Sequence, residues 1–86
     1  MACYSIEVKK SVQKTLLEFP AQIVQNITII IDSLMENPRP HGSKKLTGSD
    51  STYRIRSGDY RIIYTIFNAK LIIEVIKIGH RKDVYR

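Results

Sequence analysis

Tyr4, Ile6 and Val8 alternate with Ser5, Glu7 and Lys9 at the start of the chain, the period of a strand with one buried face. The period then lengthens. Val12, Leu16 and Phe19 recur at spacings of four and three, which predicts a short helix with Ser11 available as its N-cap. Pro20 ends that helix and can serve as the first residue of the next, where its missing N–H is not needed. From residue 21 to about 36, Ile23, Val24, Ile27, Ile30, Ile31, Leu34 and Met35 form one apolar stripe at helical spacing. Such a stripe is core. Its β-branched content is high, so packing and not intrinsic propensity must stabilise this helix. Asn37-Pro38-Arg39-Pro40-His41-Gly42 stops it.

Residues 43–51 are polar and read as a surface loop that Leu46 pins to the body. His41 reads as an exposed loop residue without a role. The next stretch, Tyr53-Arg54-Ile55-Arg56-Ser57-Gly58-Asp59-Tyr60-Arg61-Ile62-Ile63-Tyr64, reads as a β-hairpin. Gly58 suits the first central position of a two-residue type II′ turn. In that register Ser57 faces Tyr60, Arg56 faces Arg61 and Arg54 faces Ile63, so three arginines project from one face. A three-residue loop would instead pair Arg56 with Tyr60 and send Arg61 to the other face. Asn68-Ala69-Lys70 predicts another turn, and residues 71–78 an apolar strand that Gly79 breaks. A two-residue Asn68-Ala69 turn places Ile76 opposite Arg61; a three-residue loop places Lys77 there. The order βααβββ predicts an α+β fold, an antiparallel-rich sheet with a two-helix hairpin packed on one face. The other face is free for function.

With 86 residues the chain accommodates a single domain, 1–86. No stretch approaches the ~20 apolar residues that cross a membrane, and the first residues lack the pattern of a secretory signal; a cytoplasmic protein is expected. Cys3 is the only cysteine, so an internal disulfide is excluded, and it reads as a half-buried strand residue. The net charge of +6 is unevenly placed. Residues 1–43 hold four bases and four acids, whereas residues 44–86 hold ten bases and four acids. All the excess therefore lies in the half with the hairpin, as a nucleic-acid footprint requires, although an acidic protein partner fits equally well.

Like charges facing each other at roughly 5 Å between Cβ atoms are destabilising unless an anion lies over them. Arg56 and Arg61 therefore suit phosphate or carboxylate, which guanidinium binds bidentately. The ordinary alternative is two arginines splayed into solvent. Cofactor and metal chemistry find no support: the two histidines lie 39 residues apart and the acids show no ligand spacing. Arginines, tyrosines and a histidine can cleave RNA through its own 2′-hydroxyl, given a base, an acid and fixed positive charge. Arginine supplies only the charge. His80 and Tyr85 are the candidates for proton transfer.

The hairpin, followed by Val75-Ile76-Lys77-Ile78-Gly79-His80-Arg81-Lys82-Asp83-Val84-Tyr85 and preceded by Leu46-Thr47-Gly48, closely resembles the RelE branch of the RelE/ParE toxin superfamily over essentially the whole chain. The resemblance implies a type II toxin that is a metal-independent endoribonuclease, cutting mRNA in the ribosomal A site and held inactive by an acidic, RelB-like antitoxin. It also implies that Arg61 clamps the scissile phosphate, that Arg81 stabilises it or protonates the leaving oxygen, and that Tyr85 is the general base. His80 is a further acid or base. Arg54, Arg56, Lys44, Lys45 and Lys82 would contact RNA; Arg54 and Arg56 stand where lysines are familiar. Relatives of the ParE type share the fold but inhibit DNA gyrase, and that is the alternative function.

Overall fold

The computed structural model describes residues 3–80. Along the chain come β1 (Ser5–Val8), α1 (Lys10–Leu17), α2 (Ala21–Ser33), β2 (Lys44–Lys45), β3 (Thr52–Ser57), β4 (Tyr60–Phe67) and β5 (Ile72–His80). The strands make one mixed sheet in the order β1-β5-β4-β3-β2. β1 runs parallel to β5, and every other neighbouring pair is antiparallel. This is the expected α+β fold, with one added element: Lys44 and Lys45, read as loop, form a short edge strand against Arg54 and Tyr53.

The helices cover one face of the sheet, α1 over β5 and α2 over β3. Val12, Ile27, Ile31 and Leu34 meet Ile55, Ile62, Tyr64, Ile66, Ile73 and Val75 in a continuous core. Ile27, Leu34, Ile62, Tyr64, Ile73 and Val75 are fully enclosed, and each side chain of this size contributes roughly 1.5–3 kcal/mol by leaving water. The apolar stripe of α2 thus does what its spacing predicts. It is shorter than expected, since the helix ends at Ser33 and Met35 lies in the following turn, partly exposed. Pro20 is the N-cap of α2 and not its first residue. Ser11 is not the cap of α1 either: Lys9 holds that position without a side-chain bond, and Gln13 reaches back to the Val8 carbonyl instead, 2.9 Å. Cys3 precedes β1 and is exposed, not half-buried.

The β3–β4 hairpin has the two-residue turn. Ser57 pairs with Tyr60, Arg56 with Arg61 and Arg54 with Ile63. Gly58 has φ +61°, while Asp59 is not among the residues of positive φ, the combination that defines type II′. The β4–β5 connection departs from both expected registers. Phe67 pairs with Ile72 around a four-residue turn whose last residue, Leu71, has φ +54°. The ladder then slips by one residue between Ile63 and Tyr64. Ile63 pairs with Lys77 and Tyr64 with Val75, leaving Ile76 as a bulge, so Gly79 and neither Ile76 nor Lys77 lies opposite Arg61. Gly79 does not break the strand, which continues to His80.

The bulge has a packing cause. Ile73 and Val75 point into the core at a spacing of two, but the next core residue of β5 is Ile78, three residues on. Strict alternation would turn Ile78 to the open face. One extra residue restores it to the core, where it pairs with Ile62.

Candidate nucleic-acid interface

The face of the sheet away from the helices carries the charge. Along β3 and β4, Ile55, Ile62 and Tyr64 point to the core, which sends Arg54, Arg56, Arg61 and Ile63 to the other side. Lys44 on the edge strand pairs with Arg54 and extends the same row. Arg54, Arg56, Arg61 and Lys44 surround a cavity of about 450 Å³ with Ile55 and His41 also in its wall. That size is in the range of small-ligand sites. Arg56 is exposed and Arg54 half-buried, whereas Arg61 retains only 5% of its surface. Arg61 therefore sits at the inner end of the cavity and Arg56 at its rim. Three arginines, which keep their charge at any working pH, and a lysine around one cavity have the chemistry to hold a polyanion.

The loop before β2 completes the wall, and aromatic side chains fix it. The Tyr64 hydroxyl, buried below the sheet, donates to the Pro38 carbonyl at 2.7 Å. Burial pushes the Tyr64 phenol above its ordinary value, and a hydrogen bond with Ser43 partly offsets that. Arg39 donates from Nε to the Tyr53 hydroxyl at 3.0 Å and lies over the Tyr53 ring, 5.4 Å from its centroid. That hydrogen bond is the main reason the Arg39 guanidinium is pushed further up. The Pro40 carbonyl then accepts from the Ser43 N–H at 3.0 Å and from its hydroxyl at 2.8 Å. Gly42, with φ +96°, supplies the conformation that the third position of this turn requires. His41 is thereby carried to the cavity.

The candidate residues do not all converge. Arg54, Arg56, Arg61 and Lys44 come together; Lys45 pairs with Tyr53 and so belongs to the opposite face. His80 also stands on the helix side. It pairs with Tyr60, the rings meeting edge-on at 5.8 Å, and Tyr60 in turn packs on Phe19 at 4.9 Å. Arg81, Lys82 and Tyr85 lie outside the described residues. His41 is the residue that the sequence reading missed. Its only sequence signal is the basic pair Lys44-Lys45 a few residues on, and the fold alone brings it beside the arginines.

Fold and cavity together define a small α+β protein with a basic sheet face. Residues 6–85 match the family model described as ParE toxin of the type II toxin-antitoxin system parDE. RelE1 of Methanocaldococcus jannaschii is 33% identical, with 96% of each chain covered. The RelE–RelB complex of Pyrococcus horikoshii superimposes with a TM-score of 0.83 at 30% identity, covering 92% of this chain and 96% of that one. The antitoxin–toxin complex RelB–RelE of Methanococcus jannaschii gives a TM-score of 0.75 at 28% identity, covering 92% and 94%. The chain belongs to the RelE/ParE superfamily of type II toxin-antitoxin toxins, as a RelE-type member.

Proposed function

We propose that this protein is an endoribonuclease that cuts mRNA in the ribosomal A site by attack of the RNA's own 2′-hydroxyl on the adjacent phosphate. The observation that carries this reading is the convergence of Arg54, Arg56, Arg61 and Lys44 on one cavity. In the attack, negative charge builds on the non-bridging phosphate oxygens, and pre-positioned cations in a partly desolvated site stabilise it most. Arg61, the most enclosed of the four, clamps the scissile phosphate. Arg54, Arg56 and Lys44 hold the neighbouring backbone. By the RelE resemblance, Arg81 would stabilise the phosphate and Tyr85 would be a proton carrier.

The partner is an acidic, RelB-like antitoxin that covers the basic face. Support comes from the charge of that face and from the two similar RelE proteins whose structures are complexes with RelB. A segment too charged to fold alone would order itself against the arginines. A copurified partner that left Arg54, Arg56 and Arg61 accessible would count against this masking.

Mapping mRNA ends on translating ribosomes in a purified translation system, with Tyr85→Phe run beside the parent, tests the reading. Cuts confined to the A-site codon and lost in the variant support it. Intact mRNA with intact translation would move the assignment to the gyrase-directed type, and supercoiling would be assayed next.

A further inference from the structure

The cavity holds one group unlike the rest. Lys44 of β2, Arg54 and Arg56 of β3 and Arg61 of β4 are the charged side chains that line it, and none of the arginines can give up a proton near neutral pH. His41 is the one wall residue whose side-chain type exchanges protons between pH 5 and 8. It is not carried on a loose loop. The chain is anchored before it by the Tyr64 hydroxyl on Pro38 and by Arg39 on Tyr53, and across it by the two hydrogen bonds that Ser43 donates to the Pro40 carbonyl. Proline on both sides of Arg39 further restricts the backbone there.

We propose that His41 is a catalytic residue, the general base that takes the proton from the 2′-hydroxyl of RNA bound in the cavity. The proposal rests on the endoribonuclease reading and adds a residue to it. Imidazole is the side-chain type suited to accepting a proton near neutral pH, whereas a free phenol is mostly protonated there. His80 stands on the opposite face of the sheet and does not reach the cavity. In the step, an imidazole nitrogen takes the 2′-proton as the 2′-oxygen bonds to phosphorus. The bond from phosphorus to the 5′-oxygen breaks, and that oxygen leaves with the electron pair and takes a proton from the proton carrier of the proposed function or from water. The products are a 2′,3′-cyclic phosphate and a 5′-hydroxyl; the imidazolium returns its proton to the conjugate base so formed.

The test is single-turnover cleavage on mRNA-programmed ribosomes at saturating protein, from about pH 5.5 to 8.5, comparing the parent with His41→Gln and His41→Ala. Affinity is measured in parallel on ribosomes whose A-site codon carries 2′-deoxynucleotides and cannot be cut. Both variants are expected to cleave about 100-fold more slowly or worse, to lose the rise in rate that the parent shows as imidazole deprotonates, and to bind the uncut codon as the parent does. Thermal unfolding confirms that they fold, and either variant alone suffices because the side chain is exposed. A parental rate, a slower rate that keeps the parental pH profile, or a loss accounted for by weaker binding would each overturn the role. If the parent itself cut nothing, the endoribonuclease reading would fall and His41 with it; if the parent cut and the variants cut as fast, only His41 would fall.

Discussion

Arg56 and Arg61 stand directly opposite each other across the β3–β4 hairpin and line the same cavity. A like-charged pair in that position costs roughly 0.2–1 kcal/mol relative to a neutral one. Arg56→Ala is therefore expected to leave the protein as stable or slightly more stable at low salt, while weakening its hold on RNA. The gain should shrink as salt is raised, because the screening length falls from about 10 Å at 0.1 M to about 3 Å at 1 M. Urea unfolding at two salt concentrations measures it, and a gain indifferent to salt would show that repulsion is not its source.

Arg61 is enclosed where Arg56 is open, so its removal should act on function first. Arg61→Ala is expected to lower cleavage by about 100-fold or more, the scale of losing one pre-positioned donor to a developing oxyanion, and to relieve growth inhibition. Far-UV circular dichroism and a cooperative melt should persist, since Arg61 faces away from the main core. Arg81→Ala is expected to match it in the growth assay. A variant as toxic as the parent would remove that residue from the site.

The buried Tyr64 hydroxyl gives a pH-dependent signature. Burial holds its folded-state pKa above the ordinary value, which is about 10 for a free phenol. With the folded value raised, the contribution of this group to stability is complete below about pH 10 and is lost as pH climbs through the folded value. Tyr64→Phe removes the bond to Pro38 and should cost about 1 kcal/mol at neutral pH. Above about pH 10 the two proteins should converge in stability. Denaturant melts from pH 7 upward would show a constant gap instead if the hydroxyl did not titrate differently in the folded state.

Gly58 tests the turn that sets the arginine register. A Cβ built there meets nothing within 4 Å, yet φ is +61°, so the penalty on alanine is conformational alone. Gly58→Ala should destabilise the protein by roughly 1–2 kcal/mol. D-Alanine at the same position, in a chemically synthesised chain, should recover that loss because its mirror-image preference fits positive φ. Failure of D-alanine to recover it would mean that something other than backbone strain fixes glycine here.

The order of the helices and long strands, the core stripe of α2 and the hairpin with its two possible registers were legible in the sequence, because each depends on neighbours within a few residues. Ile27 and Ile31 lie one helical turn apart, and Gly58 suits the tight turn, although the structure was needed to choose it over a three-residue loop. The departures came from longer-range effects. Lys44 and Lys45 carry no strand signal, and they pair only because the exposed edge of β3 offers unpaired backbone groups to them. Ser11 looked like a cap by residue type, but the helix already begins at Lys10, so Lys9 fills the position.

The histidines mark the limit most clearly. Counting by two from Val75 puts His80 on the same face as Arg61, but the bulge at Ile76, which keeps Ile78 in the core, turns His80 to the helix side against Tyr60. His41, twenty residues before Arg61, looked like part of a solvated loop and instead reaches the cavity because Tyr64, Tyr53 and Ser43 fix its segment. The sequence by itself determined the helices, the long strands and a choice of two registers for the hairpin, since local periodicity and turn chemistry carry that information, and its motifs carried the resemblance to the family. Only the tertiary structure decided which histidine meets the arginines, because a one-residue slip in a ladder and hydrogen bonds between distant segments leave no periodic trace along the chain.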